Sequence, residues 1–148
     1  MKNILLCVAL ASIPLSVLPQ NVPHRVVNGC VINNGTKCPN IDWHDQNLNF
    51  SRLNNADLSG GNFYGATFFK AGLSHADLRD SDLRYANLNK ANLAGADLRG
   101  ARIEGSSMKR AYLNGAIWID GRRCAGNPNA TEGWDLAFNA GGSQGFCE

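Results

Sequence analysis

The sequence lacks the charge imbalance that would mark a polyelectrolyte partner: 14 Lys and Arg stand against 12 Asp and Glu over 148 residues, a formal charge of +2. Near-balance of this kind gives no electrostatic argument for nucleic acid or a membrane surface. There is no Cys-x-x-Cys, and His24, His44 and His75 do not cluster with the thiols, which argues against zinc. A Gly-rich phosphate loop and a Ser/His/Asp spacing are also missing. The N-terminal apolar run, Ile4 to Leu18, is about 15 residues, short of the ~20 needed for a transmembrane helix, and Pro14 breaks it. No stable membrane anchor is expected from it.

What is present at that end is Lys2 followed by the uncharged run, the pattern of a secretory signal peptide over residues 1–20. Its cleavage point is not defined by the residues, since Ala9-Leu10-Ala11 is the only small-x-small triplet. The cysteines agree with export to a periplasmic or extracellular, bacterial setting. Cys7 falls in the signal, leaving Cys30 and Cys38 before the central region and Cys124 and Cys147 after it. An even count flanking a central body reads as two disulfides in an oxidising compartment. Three pairings are possible; Cys30–Cys38 with Cys124–Cys147 is favoured if the central body is rigid enough to hold its ends apart.

That central body has a period of five. From Leu48 to Trp118 every fifth residue is large and apolar, fifteen in succession, and two residues before each stands Ala, Ser or Gly in fourteen of the fifteen. Five is neither the helical period of 3.6 nor the strand period of 2. It implies a stacked coil filled by one large and one small side chain per repeat. The pattern is plain in Ala76-Asp77-Leu78-Arg79-Asp80 and Ala96-Asp97-Leu98-Arg99-Gly100, and it resembles the pentapeptide-repeat family. The resemblance implies an all-β fold, a right-handed quadrilateral parallel β-helix with four repeats per turn. Fifteen repeats would make about four coils, a rod of roughly 18–20 Å at about 4.8 Å per layer. Such a solenoid needs covered ends, so disulfide-stapled caps are expected. The expected organisation is a signal over 1–20, an N-terminal cap over 21–45, the β-helix over 46–119 and a C-terminal cap and tail over 120–148. The stretch from Trp118 to Cys124, with Cys147, also resembles the tail of exported members.

Residues twenty apart become vertical neighbours in a square coil. Asp57, Asp77 and Asp97 then stack beside Ser59, Arg79 and Arg99, a self-paired solvated surface. Phe50, Lys70, Lys90 and Arg110 stack in another column with Lys109 alongside, a basic stripe without such obvious partners. Tyr64, Phe69, Tyr85 and Tyr112 fall outward, and exposed aromatics commonly mark binding; Phe69 reads equally as a residue under a cap or packed on a neighbouring corner. Candidate binding residues are therefore Lys70, Lys90, Lys109, Arg110, Phe69 and Tyr85. No catalytic residue is assigned: Ser74-His75 has no third orienting group, and His44-Asp45 reads as a lead-in turn. A coil filled by its own leucines also leaves no room for substrate, and no cofactor or metal is expected. Asn34, Asn49 and Asn129 head glycosylation triplets that an Asn-rich repeat generates by chance.

The leading expectation is an exported, non-catalytic structural or protein-interaction module. One alternative is a binder of an anionic envelope polymer through the basic stripe. Another, implied by the resemblance, is a DNA mimic acting on DNA gyrase. The signal-like N-terminus, the short rod and the nine Lys and Arg against six Asp and Glu of the repeat body oppose it.

Overall fold

The computed structural model describes residues 25–125 and 147; the signal-like segment and most of the expected C-terminal tail lie outside the described residues. The fold follows from where one repeat sends its amide hydrogens. In 76–80, Ala76 N–H closes a turn on the Leu73 carbonyl at 3.1 Å, and Asp77 N–H reaches down to Ala56 at 2.8 Å. Leu78 N–H and Asp80 N–H reach up to the carbonyls of Asp97 and Arg99, at 2.8 and 2.9 Å. The remaining amide, that of Arg79, is capped by Asp77 Oδ1 at 3.1 Å. Every backbone donor of the repeat is satisfied, which burial of its neighbours demands.

The second repeat position therefore calls for a side-chain oxygen, supplied equally by Asp or Asn in an Asx-type turn. At several positions that lack one, an Asn of the coil below substitutes. Thr67, Gly72 and Ser107 are such places, and the amides of Phe69, Ser74 and Lys109 bond instead to Oδ1 of Asn49, Asn54 and Asn89, at 2.8, 3.1 and 2.7 Å.

Parallel bridges join residues twenty apart and sort the coil into four faces. Face 1 carries the ladder Lys37–Asp57–Asp77–Asp97–Ile117 and face 2 carries Asp42–Asn62–Asp82–Arg102. Face 3 carries Asn47–Thr67–Asn87–Ser107 and face 4 carries Arg52–Gly72–Asn92–Tyr112. The large and small residues of each repeat are buried together, as Ala56 with Leu58 or Ala86 with Leu88, in one continuous core. Each face ends at a corner whose last residue has positive φ, in every repeat from Asn40 to Gly115.

One sequence expectation changes here. The ladders begin at Lys37, not at 46, and Trp43 is fully buried in the interior series. The five-residue signal fades there because Thr36 and Ile41 replace the small residues and Cys38 stands where a leucine would. Preceding this, β1 (Arg25–Val27) and β2 (Cys30–Ile32) form an antiparallel hairpin. Val27, Cys30 and Ile32 are buried with the core, and Trp43 Nε1 donates to the Val27 carbonyl at 3.0 Å. At the other end the chain turns back: Ile117 pairs antiparallel with Arg123, and Trp118 N–H bonds the Arg122 carbonyl at 2.7 Å. Disulfides join Cys30 to Cys38 and Cys124 to Cys147. No helix among the described residues is long and apolar enough to cross a membrane.

Candidate functional site

Sorting charge by face exposes an asymmetry invisible in the linear sequence. Between residues 36 and 120 all nine carboxylates (Asp42, Asp45, Asp57, Asp77, Asp80, Asp82, Asp97, Glu104, Asp120) lie on faces 1 and 2. The ten cations divide evenly, with Arg52, Lys70, Lys90, Lys109 and Arg110 on faces 3 and 4. One side is thus net acidic and the other carries only positive charge.

Much of the acidic side is internally paired. Arg79, Arg84 and Arg99 grip Asp77, Asp82 and Asp97 at 2.6, 2.5 and 2.6 Å, and Arg102 reaches Asp82 from the next coil at 3.7 Å. The hydrogen bonds from these arginines hold all three carboxyls below the usual aspartate range. On face 2, Asp42 lies 2.8 Å from His44 Nδ1, a hydrogen bond that raises the imidazole above its ordinary value. An open depression of about 410 Å³ sits above Gly60 and Gly61, edged by His44, Tyr64, Asp82 and Arg84. Among the described residues no three His, Cys, Asp or Glu side chains gather as a metal site would require.

The basic side is arranged differently. Lys70, Lys90 and Arg110 stack at the face 3 corner with Phe50 beneath, and none makes an ion pair among the described residues. Phe50 is 64% exposed, the highest of the large hydrophobics among the described residues. Its ring meets Phe69 edge-on at 5.8 Å. Lys70 Nζ lies 5.8 Å from the Phe50 ring and 5.6 Å from Phe69, and Lys90 Nζ 5.5 Å from Phe69, within cation–π range. Phe69 is half-buried, and of its two sequence readings the packed one holds: its ring meets Phe50 of the corner column. Tyr85 does not join this group. It belongs to a different corner column, 45–65–85–105, where it packs on Tyr64 at 5.3 Å. Lys109 stands next to Arg110 on face 3, its backbone held by Asn89.

Sequence reading missed the asparagines of this face. Asn47 and Asn87 cap the amides of Asn49 and Asn89, each at 3.1 Å, while Asn49 and Asn89 cap Phe69 and Lys109. The signal that could have found them is the absence of Asp from this ladder, which carries Asn at 47 and 87.

Comparison with known proteins agrees with this architecture. The pentapeptide-repeat family matches with eight copies, over residues 47–84 and 76–115. Among solved structures, HetL of the cyanobacterium Nostoc sp. strain PCC 7120, involved in heterocyst differentiation regulation, is 33% identical. The match covers 59% of this chain and 42% of HetL, with a TM-score of 0.35. Rfr23 of Cyanothece 51142 is 30% identical over 55% of this chain and 60% of its own, with a TM-score of 0.41. A pentapeptide-repeat protein of the Arabidopsis thaliana thylakoid lumen is 30% identical over 55% of this chain and 68% of its own, with a TM-score of 0.20. The chain thus spans less than two thirds of HetL and Rfr23, and the likeness rests on repeat sequence, not on superposition of whole chains. No curated protein matches significantly by sequence. The fivefold register, the residues twenty apart in parallel ladders and the matched repeats agree: the chain belongs to the pentapeptide-repeat family, whose fold is the right-handed β-helix.

Proposed function

We propose that the protein is an exported, non-catalytic module that presents a rigid β-helical surface to a partner, and that face 3 with its corner is the contacting surface. One observation carries the reading. The corner columns on faces 1, 2 and 4 relieve their left-handed backbone with glycine: Gly60 and Gly100, Gly65 and Gly105, Gly35, Gly95 and Gly115. The face 3 column has none; Phe50, Lys70, Lys90 and Arg110 adopt φ of 58°, 55°, 60° and 59°. A left-handed conformation costs an L side chain roughly 1–2 kcal/mol, and three like charges stacked at strand spacing repel. The architecture would be easier to build with glycine at these positions, so a surface use accounts for the side chains. Export is supported by the two disulfides and by the signal-like N-terminus.

A second reading, contact with an anionic envelope polymer, is favoured by the absence of carboxylates from faces 3 and 4. The same absence opposes a duplex-DNA mimic, which needs a continuous acidic surface. The test is capture from envelope extract by the mature protein. A variant carrying Lys70→Gln, Lys90→Gln and Arg110→Gln should lose its captured partner. Equal capture would remove face 3 from the function, and recovery of the chain in the cytoplasm with free thiols would end the export reading.

A further inference from the structure

The chemistry of face 3 is one-sided in hydrogen bonding as well as in charge. Each of its four asparagine side-chain oxygens is occupied by a backbone N–H, at Asn47, Asn49, Asn87 and Asn89. The hydroxyls of Thr67 and Ser107 donate to Asn47 Oδ1 and Asn89 Oδ1, at 3.4 and 2.7 Å. Because the oxygens accept from backbone donors, the orientation of the four amides is fixed, and their Nδ2 groups have no acceptor among the described residues. What remains for a ligand is dominated by donors: the four NH2 groups, the ammonium groups of Lys70 and Lys90 and the guanidinium of Arg110.

The geometry adds direction. The three cations occupy successive rungs of one column, so they climb along the coil axis in steps of about 4.8 Å. The lysines are steadied against Phe69 and Phe50. Phe50 extends the column at its lower end as an exposed apolar plate. A binding partner matched to this surface is linear, is rich in acceptors, repeats its negative charge about once per rung and has a flat apolar face for Phe50.

We infer that face 3 binds a linear acidic polysaccharide of the uronic-acid type, lying along the coil axis with successive carboxylates on Lys70, Lys90 and Arg110 and a sugar ring stacked on Phe50. This rests on the reading of face 3 as the contact surface and names its ligand. A pyranose unit is about as long as one rung, its carboxylate and hydroxyl oxygens accept from the Asn47, Asn49, Asn87 and Asn89 amides, and its C–H face suits an aromatic plate. A single-stranded nucleic acid would also meet lysine and phenylalanine, but the two disulfides favour an oxidising compartment, a setting that suits an acidic glycan better than a nucleic acid.

Purified protein is titrated with polygalacturonate, its fully methyl-esterified form, polyphosphate and single-stranded DNA, at two salt concentrations. Binding should be confined to polygalacturonate, weaken with salt and fall about tenfold for each of Lys70→Gly, Lys90→Gly and Arg110→Gly, the loss of one charge-assisted contact. Glycine suits the left-handed corner, so the thermal midpoint of these variants should hold or rise. Binding lost together with a lowered midpoint would show the column to be structural and overturn the inference. Binding of the methyl ester, or equal binding of polyphosphate or single-stranded DNA, would also overturn it. If no polyanion binds while capture from envelope extract still depends on the column, the glycan assignment fails and the contact-surface reading stands; if neither depends on it, both fail.

Discussion

Faces 1 and 3 are the same backbone device with opposite chemistry. On face 1, Asp77 Oδ1 caps the Arg79 amide at 3.1 Å; on face 3, Asn87 Oδ1 caps the Asn89 amide at the same distance. The architecture uses one oxygen in each case and is indifferent to the other terminal atom. On face 1 that atom is Asp77 Oδ2, and Arg79 closes over it at 2.6 Å. On face 3 it is an amide nitrogen with no acceptor among the described residues. The repeat thus fixes half a side chain and leaves the other half to decide whether a face pairs with itself or stays open. An argument from the repeat consensus, which treats Asp and Asn as equivalent, averages away this distinction.

The largest expected effect ignores the comparison altogether. Leu78 and Leu88 are both fully buried beneath faces 1 and 3, so Leu78→Ala and Leu88→Ala should each destabilise by about 3 kcal/mol in denaturant unfolding. A difference much beyond 1 kcal/mol between them would mean that the faces differ in packing and not only in surface chemistry. Smaller and more discriminating is removal of the cap. Asp97→Ala and Asn87→Ala each orphan a backbone amide, that of Arg99 or Asn89, and should each cost about 1–2 kcal/mol. Asp97→Asn keeps the capping oxygen and should recover most of that loss. If it behaves like alanine, the Arg99 pair and not the cap holds face 1.

Much of this was legible in the sequence. The period of five assigned the leucines and alanines to the interior, and twenty-residue stacking placed Lys70, Lys90 and Arg110 in one column. The start of the coil was not, since Trp43 follows Ile41 and Thr36 where small residues mark the repeat elsewhere. The large side chains fit there because the first coil has another coil on one side only and a hairpin, through Val27 and Ile32, on the other. The position of Phe69 was not legible either. Its burial depends on Phe50, which meets it only across coils, as well as on the adjacent Lys70. The donor character of face 3 was hidden for a different reason: which end of an asparagine faces outward depends on a backbone amide two or twenty residues away.

The smallest expected effect is the most specific to the comparison. Asp77, Asp82 and Asp97 titrate below the ordinary aspartate value because Arg79, Arg84 and Arg99 hydrogen-bond to the charged form. A carboxyl whose folded value is depressed contributes stability that is complete above its unfolded pKa, near 4, and is lost as pH falls through the folded value. Faces 1 and 2 should therefore supply an acid limb to the stability profile below about pH 4, and face 3, having no carboxylate, should supply none. Replacing the three aspartates with asparagine preserves the caps and removes the titration, so the variant's unfolding midpoint should vary less between pH 5 and pH 2 than the wild type's. The reciprocal change, Asn87→Asp, places a carboxylate within the basic column's field and should add acid sensitivity where there was none. An unchanged acid limb in the triple variant would show that the arginine pairs are too well solvated to matter. The two faces would then differ in what they offer a ligand and in nothing that folding can sense.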